Sequence, residues 1–407
     1  MKVVKLTDFC NMICYNAIRN NVMGAVRKGN RLRVFEAFAG IGAQHSALSR
    51  LNINFEIVGV SEWFIDAIEC YDAIHYSEGA EDIVVPSIDE VDKYLSKFSF
   101  SRDSVNPCDV SKLNKEDRIK LYKANNRINN FGSITEINGD ILPEIDLLVY
   151  SFPCQDLSTG GKCKGMKKGS GTRSGLLWEI ERILIDLKNL NKLPEYLLLE
   201  NVKTLLSESN KDDLNEWLSF LESIGYYNDK PMILNSYLYG VPQDRERVFI
   251  SSHLGSNLNV NLVIENYKHK GEYNISDFIK NDYKNYIFKE EADEAQLNRT
   301  PSREVMWKIN GREIINNETK IRTITCNMDR QNTAALFRYN GPKGYTYRRL
   351  TIREAFLLMG FTEEEYLKAK KLNFSYRKMN KLIGNSIVVN VLESIFSVMF
   401  GEKYRKG

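Results

Sequence analysis

The segment Arg31–Arg50, RLRVFEAFAGIGAQHSALSR, restricts the fold more than any other stretch. Val34, Phe35 and Phe38 supply a buried strand, Gly40-Ile41-Gly42 a tight turn, and Ala43 to Arg50 has helical composition. Strand, glycine turn and helix make the first βα unit of a doubly wound α/β sheet, where backbone approaches a nucleotide-like ligand. The full G-x-G-x-x-G would place its third glycine at His45. The dinucleotide fingerprint is therefore incomplete, which counts against an NAD-dependent oxidoreductase.

Three further apolar runs end in side chains that can do chemistry. Phe55 to Val60 leads to Ser61-Glu62-Trp63. An acid at the tip of the second strand is placed to accept hydrogen bonds from ribose hydroxyls, and the Trp could cover an adenine face. A solvated Glu and a core Trp are the plainer reading. Ile145, Leu147, Leu148 and Val149 empty into Tyr150–Gly165, YSFPCQDLSTGGKCKG. Cys154 thus leaves a strand at the edge where open α/β sheets bind ligands, although cysteine is also a common small buried hydrophobe. Tyr196 to Leu199 ends at Glu200-Asn201-Val202, a second reactive side chain at a second strand end. Ahead of the Cys strand, the Asp140 turn in Gly139-Asp140-Ile141 could bind an adenine amino group, and Asp is also ordinary in turns. In Pro242–Ile250, PQDRERVFI, period two would put Arg245 and Arg247 on one strand face, suited to phosphate or carboxylate.

The 407 residues suffice for two domains. A composition of 43% hydrophobic and 27% charged residues is that of a soluble globular chain. No uninterrupted apolar run approaches the roughly 18 residues of a membrane span, and the N-terminus lacks a signal peptide's features. Seven cysteines without framework spacing argue for a reducing compartment, and scarce histidine argues against a zinc site. The net charge of +3 permits a nucleic-acid partner without demanding one. Residues 1–30 read as a short helix and basic link, either a structural cap or a regulatory arm. Residues 72 to 135 are polar connections without a motif. From 252 to 345 arginines interleave with aromatics, as a nucleic-acid contact surface requires. Leu350–Phe361 is helical, and Lys381–Phe396 opens with a Gly-Asn-Ser turn and continues as an apolar helix expected to pack back on the first domain.

Taken in order, these pieces resemble the cytosine-5 DNA methyltransferases that use S-adenosyl-L-methionine, across nearly all of residues 31–400. Phe38, Ala39, Gly40, Ile41 and Gly42 look like the cofactor loop, Glu62 and Trp63 like the ribose- and adenine-binding pair, and Asp140 and Ile141 like the third cofactor element. Pro153-Cys154-Gln155 matches the nucleophile motif, Glu200-Asn201-Val202 the acid motif, and Gln243-Asp244-Arg245-Glu246-Arg247 the Q-x-R-x-R element. Gly384-Asn385-Ser386 matches the returning motif, whose Asn385 and Ser386 meet the cofactor again, as does Pro153. The large domain is most similar to CG-modifying enzymes of mollicutes. The region after 252 departs from them, so CG specificity does not carry over.

The resemblance implies a Rossmann-like α/β methyltransferase with a smaller, irregular target recognition domain. Its boundaries would be an N-terminal extension at 1–30, a catalytic domain at 31–251, a recognition domain at 252–375 and a returning segment at 376–400. Cys154 would be the nucleophile and Glu200 the acid. Asn201 would hold the Glu200 loop, Arg245 would contact the base carbonyl and help position Glu200, and Arg247 would support the cysteine loop and a flanking phosphate. Gln155, Ser158, Lys162, Arg173, Thr323 and Arg330 would contact double-stranded DNA, with the Gly- and Lys-rich stretch 156–174 as a lid. The expected setting is a monomer in a bacterial cytoplasm, associated with the nucleoid, with no metal and no membrane partner, and with a cognate restriction endonuclease as a candidate partner. A tRNA cytosine-5 methyltransferase of the same fold and a non-catalytic DNA-binding relative stand as alternatives.

Overall fold

The computed structural model describes residues 31–76, 83–153, 165–169, 172–268, 274–298, 300–310, 320–328, 334–344, 346–401 and 403–404. The N-terminal extension at 1–30 lies outside them. A seven-stranded sheet runs through the catalytic part: β1 (Leu32–Ala37), β2 (Phe55–Ser61), β3 (Leu147–Tyr150), β4 (Tyr196–Val202), β5 (Tyr226–Asn228), β6 (Met232–Asn235) and β7 (Glu246–Leu254). Its order is β2-β1-β3-β4-β7-β5, with β6 also pairing β7. The first four strands are parallel, and β7 turns antiparallel to β4. A segment beside β2, Asn129–Phe131, extends the edge through a parallel bridge between Val60 and Asn130.

The central strands are largely apolar because both faces are covered. Alternation sends Leu32, Val34, Leu147, Val149 and Leu198 to one side and Phe35, Leu148, Tyr150, Leu197 and Leu199 to the other. The first side packs on α1 (Ala43–Arg50) and on the C-terminal helix; the second packs on α3 (Leu177–Asn189) and α4 (Lys211–Ser223). Helix α2 (Ile65–His75) follows β2 and contributes Ala67, Cys70 and Ile74 to the first core. The result is three layers, helix on sheet on helix.

The expected boundaries shift. Strand β7 continues to Leu254, so a cut at 251 would divide a strand. After α5 (Tyr286–Ala295) and the short strands that follow, the chain forms α6 (Ile352–Leu358) and α7 (Glu363–Lys370). Glu365 of α7 accepts from Ser46 and Arg50 of α1, so α7, within the stretch expected for a recognition domain, is tied to the first helix of the sheet domain. The segment Tyr376–Phe400 does reach the length and hydropathy of a membrane span, unlike the expectation from uninterrupted runs. It is two core helices, α8 (Tyr376–Gly384) and α9 (Val389–Phe400), interrupted at Asn385 to Val388, and most of it is buried.

Candidate active site

The glycine turn and the tip of β2 are built as one unit. Phe38, Gly40 and Gly42 all adopt left-handed backbone, with φ of 57°, 58° and 77°. The strained Phe38 marks a site held by its surroundings. Glu62 fastens the turn: one carboxylate oxygen accepts from Gly40 N at 2.9 Å, the other from Trp63 N at 2.9 Å and Phe64 N at 2.8 Å. Burial raises the Glu62 carboxyl above its ordinary value, while those N–H groups and the Lys381 ammonium pull it back down. A Cβ on Gly40 would meet nothing within 4 Å, so the turn's front opens on free space. An acid at the strand tip, a half-buried Trp63 and backbone facing open space fit a nucleoside with ribose hydroxyls.

Next along the same edge, β3 ends at Tyr150 and Ser151-Phe152-Pro153 follows. Two side chains pin this exit: Asn201 Nδ2 donates to Phe152 O at 3.1 Å, and Ser174 Oγ donates to Pro153 O at 2.8 Å. Glu200, beside Asn201 on β4, is buried. Burial pushes its carboxyl above the ordinary carboxylate range, and the guanidinium groups of Arg247 and then Arg245 work against that shift. Arg247 Nε stands 3.4 Å from Glu200 Oε1. Burial thus favours the protonated form of this acid, and the neighbouring arginine opposes it.

Arg245 spends its terminal nitrogens on backbone. Its guanidinium donates to Ile324 O at 2.7 Å, Gly384 O at 3.2 Å and Ser386 O at 2.7 Å. Gln243 works beside it, accepting from Ile324 N at 2.9 Å and donating to Leu358 O at 2.8 Å.

Against known proteins, the model of the C-5 cytosine-specific DNA methylase family matches residues 96–401. The orphan methyltransferase M.SssI of Spiroplasma monobiae is 37% identical over 392 residues, covering 92% of this chain and 98% of that protein. The type II methyltransferase M2.ScrFI of Lactococcus lactis subsp. cremoris is 37% identical over 382 residues, covering 91% and 99%. The chain belongs to the C-5 cytosine-specific DNA methylase family. It is a DNA (cytosine-5-)-methyltransferase that uses S-adenosylmethionine. The fold agrees: the Schizosaccharomyces pombe Dnmt2 methyltransferase structure superposes with a TM-score of 0.60 at 20% identity, over 91% of this chain and 98% of that one.

For a methylase of this family, the structure gathers Gly40, Gly42, Glu62 and Trp63 at one sheet edge with Pro153, Glu200, Asn201 and Arg247. Ala39 and Ile41 are buried in the turn, and Phe38 packs on the second core. Asn385 is exposed at the end of α8, and Ser386 is buried beneath it. Cys154, Gln155, Ser158, Lys162 and Arg330 lie outside the described residues.

Three assignments change. Arg247, not Arg245, stands against Glu200, and Arg245 clamps backbone from two distant segments. Period two did not apply because β7 begins at Glu246, leaving Arg245 in the irregular step before it. Asp140 and Ile141 do not stand beside the Glu62 turn. Gly139 N donates to Asp186 Oδ2 at 3.1 Å, in the last turn of α3, whose opposite end begins beside Pro153. Roughly 18 Å of helix separates Ser174 from Asp186. Thr323 is half-buried and spends its hydroxyl hydrogen on Asp244 O at 2.6 Å, docking the recognition segment rather than offering that donor to DNA. Among the lid cations, Lys168 is paired with Glu181 and lies over the Trp178 ring, and Arg173 is half-buried where the 174–176 turn starts.

The segment that does return to the cofactor edge is Asn130–Ser133, which motif reading passed over. Asn130 Oδ1 accepts from Glu62 N at 3.0 Å and its Nδ2 donates to Glu62 O at 2.8 Å, while Ser61 Oγ donates to Gly132 O at 2.9 Å. The available signal was Phe131-Gly132-Ser133, one apolar residue and a glycine, too short to read as a strand end.

Proposed function

We propose that this methylase modifies a cytosine flipped out of double-stranded DNA through a covalent adduct on Cys154. The observation that supports the reading is the joint placement of two strand ends: Asn201 ties the acid strand to the backbone two residues before Cys154, with Glu200 buried alongside. Carbon 5 of cytosine is a weak nucleophile. Addition of the Cys154 thiolate to carbon 6 forms a C–S bond and sends electron density through the ring to N3. Glu200, whose protonated form burial favours, donates there, and Arg247 fixes the carboxyl while offering its guanidinium to the base carbonyl. Carbon 5 becomes an enamine carbon. S-adenosylmethionine, when bound, supplies an electrophilic methyl group. Loss of the carbon-5 proton to a base then expels Cys154 by β-elimination.

A stacked base cannot present carbon 6 to a side chain, so the target leaves the helix at a cost of a few kcal/mol. The DNA would lie between the sheet edge and the 274–350 segment, with the enzyme acting as a cytoplasmic, nucleoid-associated monomer in a bacterial restriction-modification or epigenetic system. The C154S variant tests the mechanism. It should lose methyl transfer, read by bisulfite sequencing of treated DNA, while keeping cofactor affinity by calorimetry. An active serine variant would remove the covalent step.

A further inference from the structure

Behind the cofactor turn lies a cluster of polar rings that the reaction does not use. His75 Nε2 stands 3.0 Å from Ile41 O. A carbonyl only accepts, so that nitrogen carries the hydrogen. The His75 ring stacks on His45 with centroids 4.2 Å apart and planes within 8°. His45 Nδ1 lies 3.2 Å from the Tyr71 hydroxyl. Glu36 of β1 closes the cluster beneath, wholly buried, with the Tyr71 hydroxyl and His45 backbone N–H close enough to pull on its charge. His45 is the residue found where the dinucleotide fingerprint would have its third glycine. The space that glycine leaves for helix–strand contact in such folds is filled here by an aromatic stack.

The two glycines of the turn face opposite ways. Gly40 opens on empty space, whereas a Cβ on Gly42 would come within 2.4 Å of His75 Nε2 and 2.7 Å of the Tyr71 ring. The rings are therefore the floor on which the turn rests, opposite the face left open for the nucleoside. Burial keeps His75 neutral, its pKa pushed down to about 4, so it has a single N–H to give and gives it to the turn.

We propose that His75, braced by the His45 stack, is a positioning residue for S-adenosylmethionine: its Nε2–H on Ile41 O holds the Gly40–Gly42 turn in the conformation that receives the nucleoside. The proposal rests on the assignment of that turn as the cofactor site. It acts on cofactor affinity and not on the chemistry at cytosine. Replacing the donor leaves a buried carbonyl unpaired, an effect of about tenfold on an equilibrium.

Calorimetric titration of the full chain with S-adenosylhomocysteine tests this. H75L should weaken binding about tenfold and raise the KM for S-adenosylmethionine more than it lowers kcat. H75Q, whose amide can donate to the same carbonyl, should recover most of the affinity. Equal affinity in H75L and wild type, or H75Q no better than H75L, would overturn the proposal, the second result leaving His75 as packing only. Should H75L not fold by circular dichroism, H45A, which removes the stack, is expected to weaken binding about threefold, and unchanged affinity there overturns it too. E62A is run in parallel. Unchanged affinity in H75L with a loss in E62A defeats the positioning role alone, whereas unchanged affinity in both defeats the site assignment beneath it.

Discussion

Two buried glutamates show how one residue type is set to different tasks by its neighbours. Glu200 has Arg247 at 3.4 Å, at the sheet edge where we propose the chemistry. Glu36 has no cation beside it, and neither of its oxygens meets a partner at hydrogen-bonding geometry among the described residues. For Glu200, a protonated carboxyl is useful to the reaction. E200Q should lower the single-turnover methylation rate by about 10²- to 10⁴-fold. The wild-type rate should also fall as pH rises through the raised Glu200 pKa. A glutamine variant with the wild-type rate would make Glu200 structural. For Glu36, burial raises the carboxyl from 4.5 to about 8. Between those values the folded protein holds a proton that the unfolded chain has released, so stability falls as pH climbs through this window, by about 1.4 kcal/mol per pH unit at most. E36Q cannot ionise. Urea midpoints at about pH 5, 7 and 9 should therefore drop more steeply for the wild type than for E36Q. Parallel curves would mean that Glu36 finds a partner on ionisation.

At the scale of elements, what could be read from sequence was whatever depends on continuous local pattern. The runs at 147–150 and 196–199 are apolar on both faces, 32–37 is apolar but for Arg33 and Glu36, and each is a central strand of the sheet. What could not be read depends on where an irregular segment goes. Gly139-Asp140-Ile141 looks like a turn at the cofactor edge and is one, but at the other end of α3. Asn130–Ser133 reaches the edge through a single bridge to β2. The close approach at Gly384 was equally hidden. A Cβ there would fall 2.2 Å from Cys326 N and 2.4 Å from the Thr325 carbonyl carbon, both backbone. Glycine at this place is required by contact between α8 and the 324–326 segment, independent of any cofactor. G384A must push these apart and weaken the hydrogen bonds of Arg245, at a cost of about 1–3 kcal/mol. A thermal melt unchanged from wild type would show that the helix shifts freely.

The whole molecule depends on buried polar clamps, some within the segments after Leu254 and some joining those segments to the sheet domain. Arg348 and Glu354 pair with both side chains wholly buried, and Arg353 meets Glu291 of α5 through two bonds of 2.8 Å. Gln243 and Arg245 fasten the Ile324 segment and the α8 end at the base of the active site. A Q-x-R-x-R pattern thus divides its labour: the first two residues hold the molecule together, and the third faces Glu200. Arg245 holds the carbonyls of Ile324, Gly384 and Ser386 together, beside the bond from Ile324 N to Gln243. Burial decides how much each ion is worth. Lys203 and Glu246 form a pair at 2.9 Å with 55% and 43% of their side chains exposed, and K203M should cost less than about 1 kcal/mol. Arg245 is 3% exposed. R245M would strand three carbonyls and leave Glu200 with one fewer cation, for a loss of about 3–5 kcal/mol. Urea unfolding of the two variants side by side measures the difference. If R245M proved no more damaging than K203M, the clamp would not join the two parts, and another contact would have to hold the Ile324 segment against the catalytic edge.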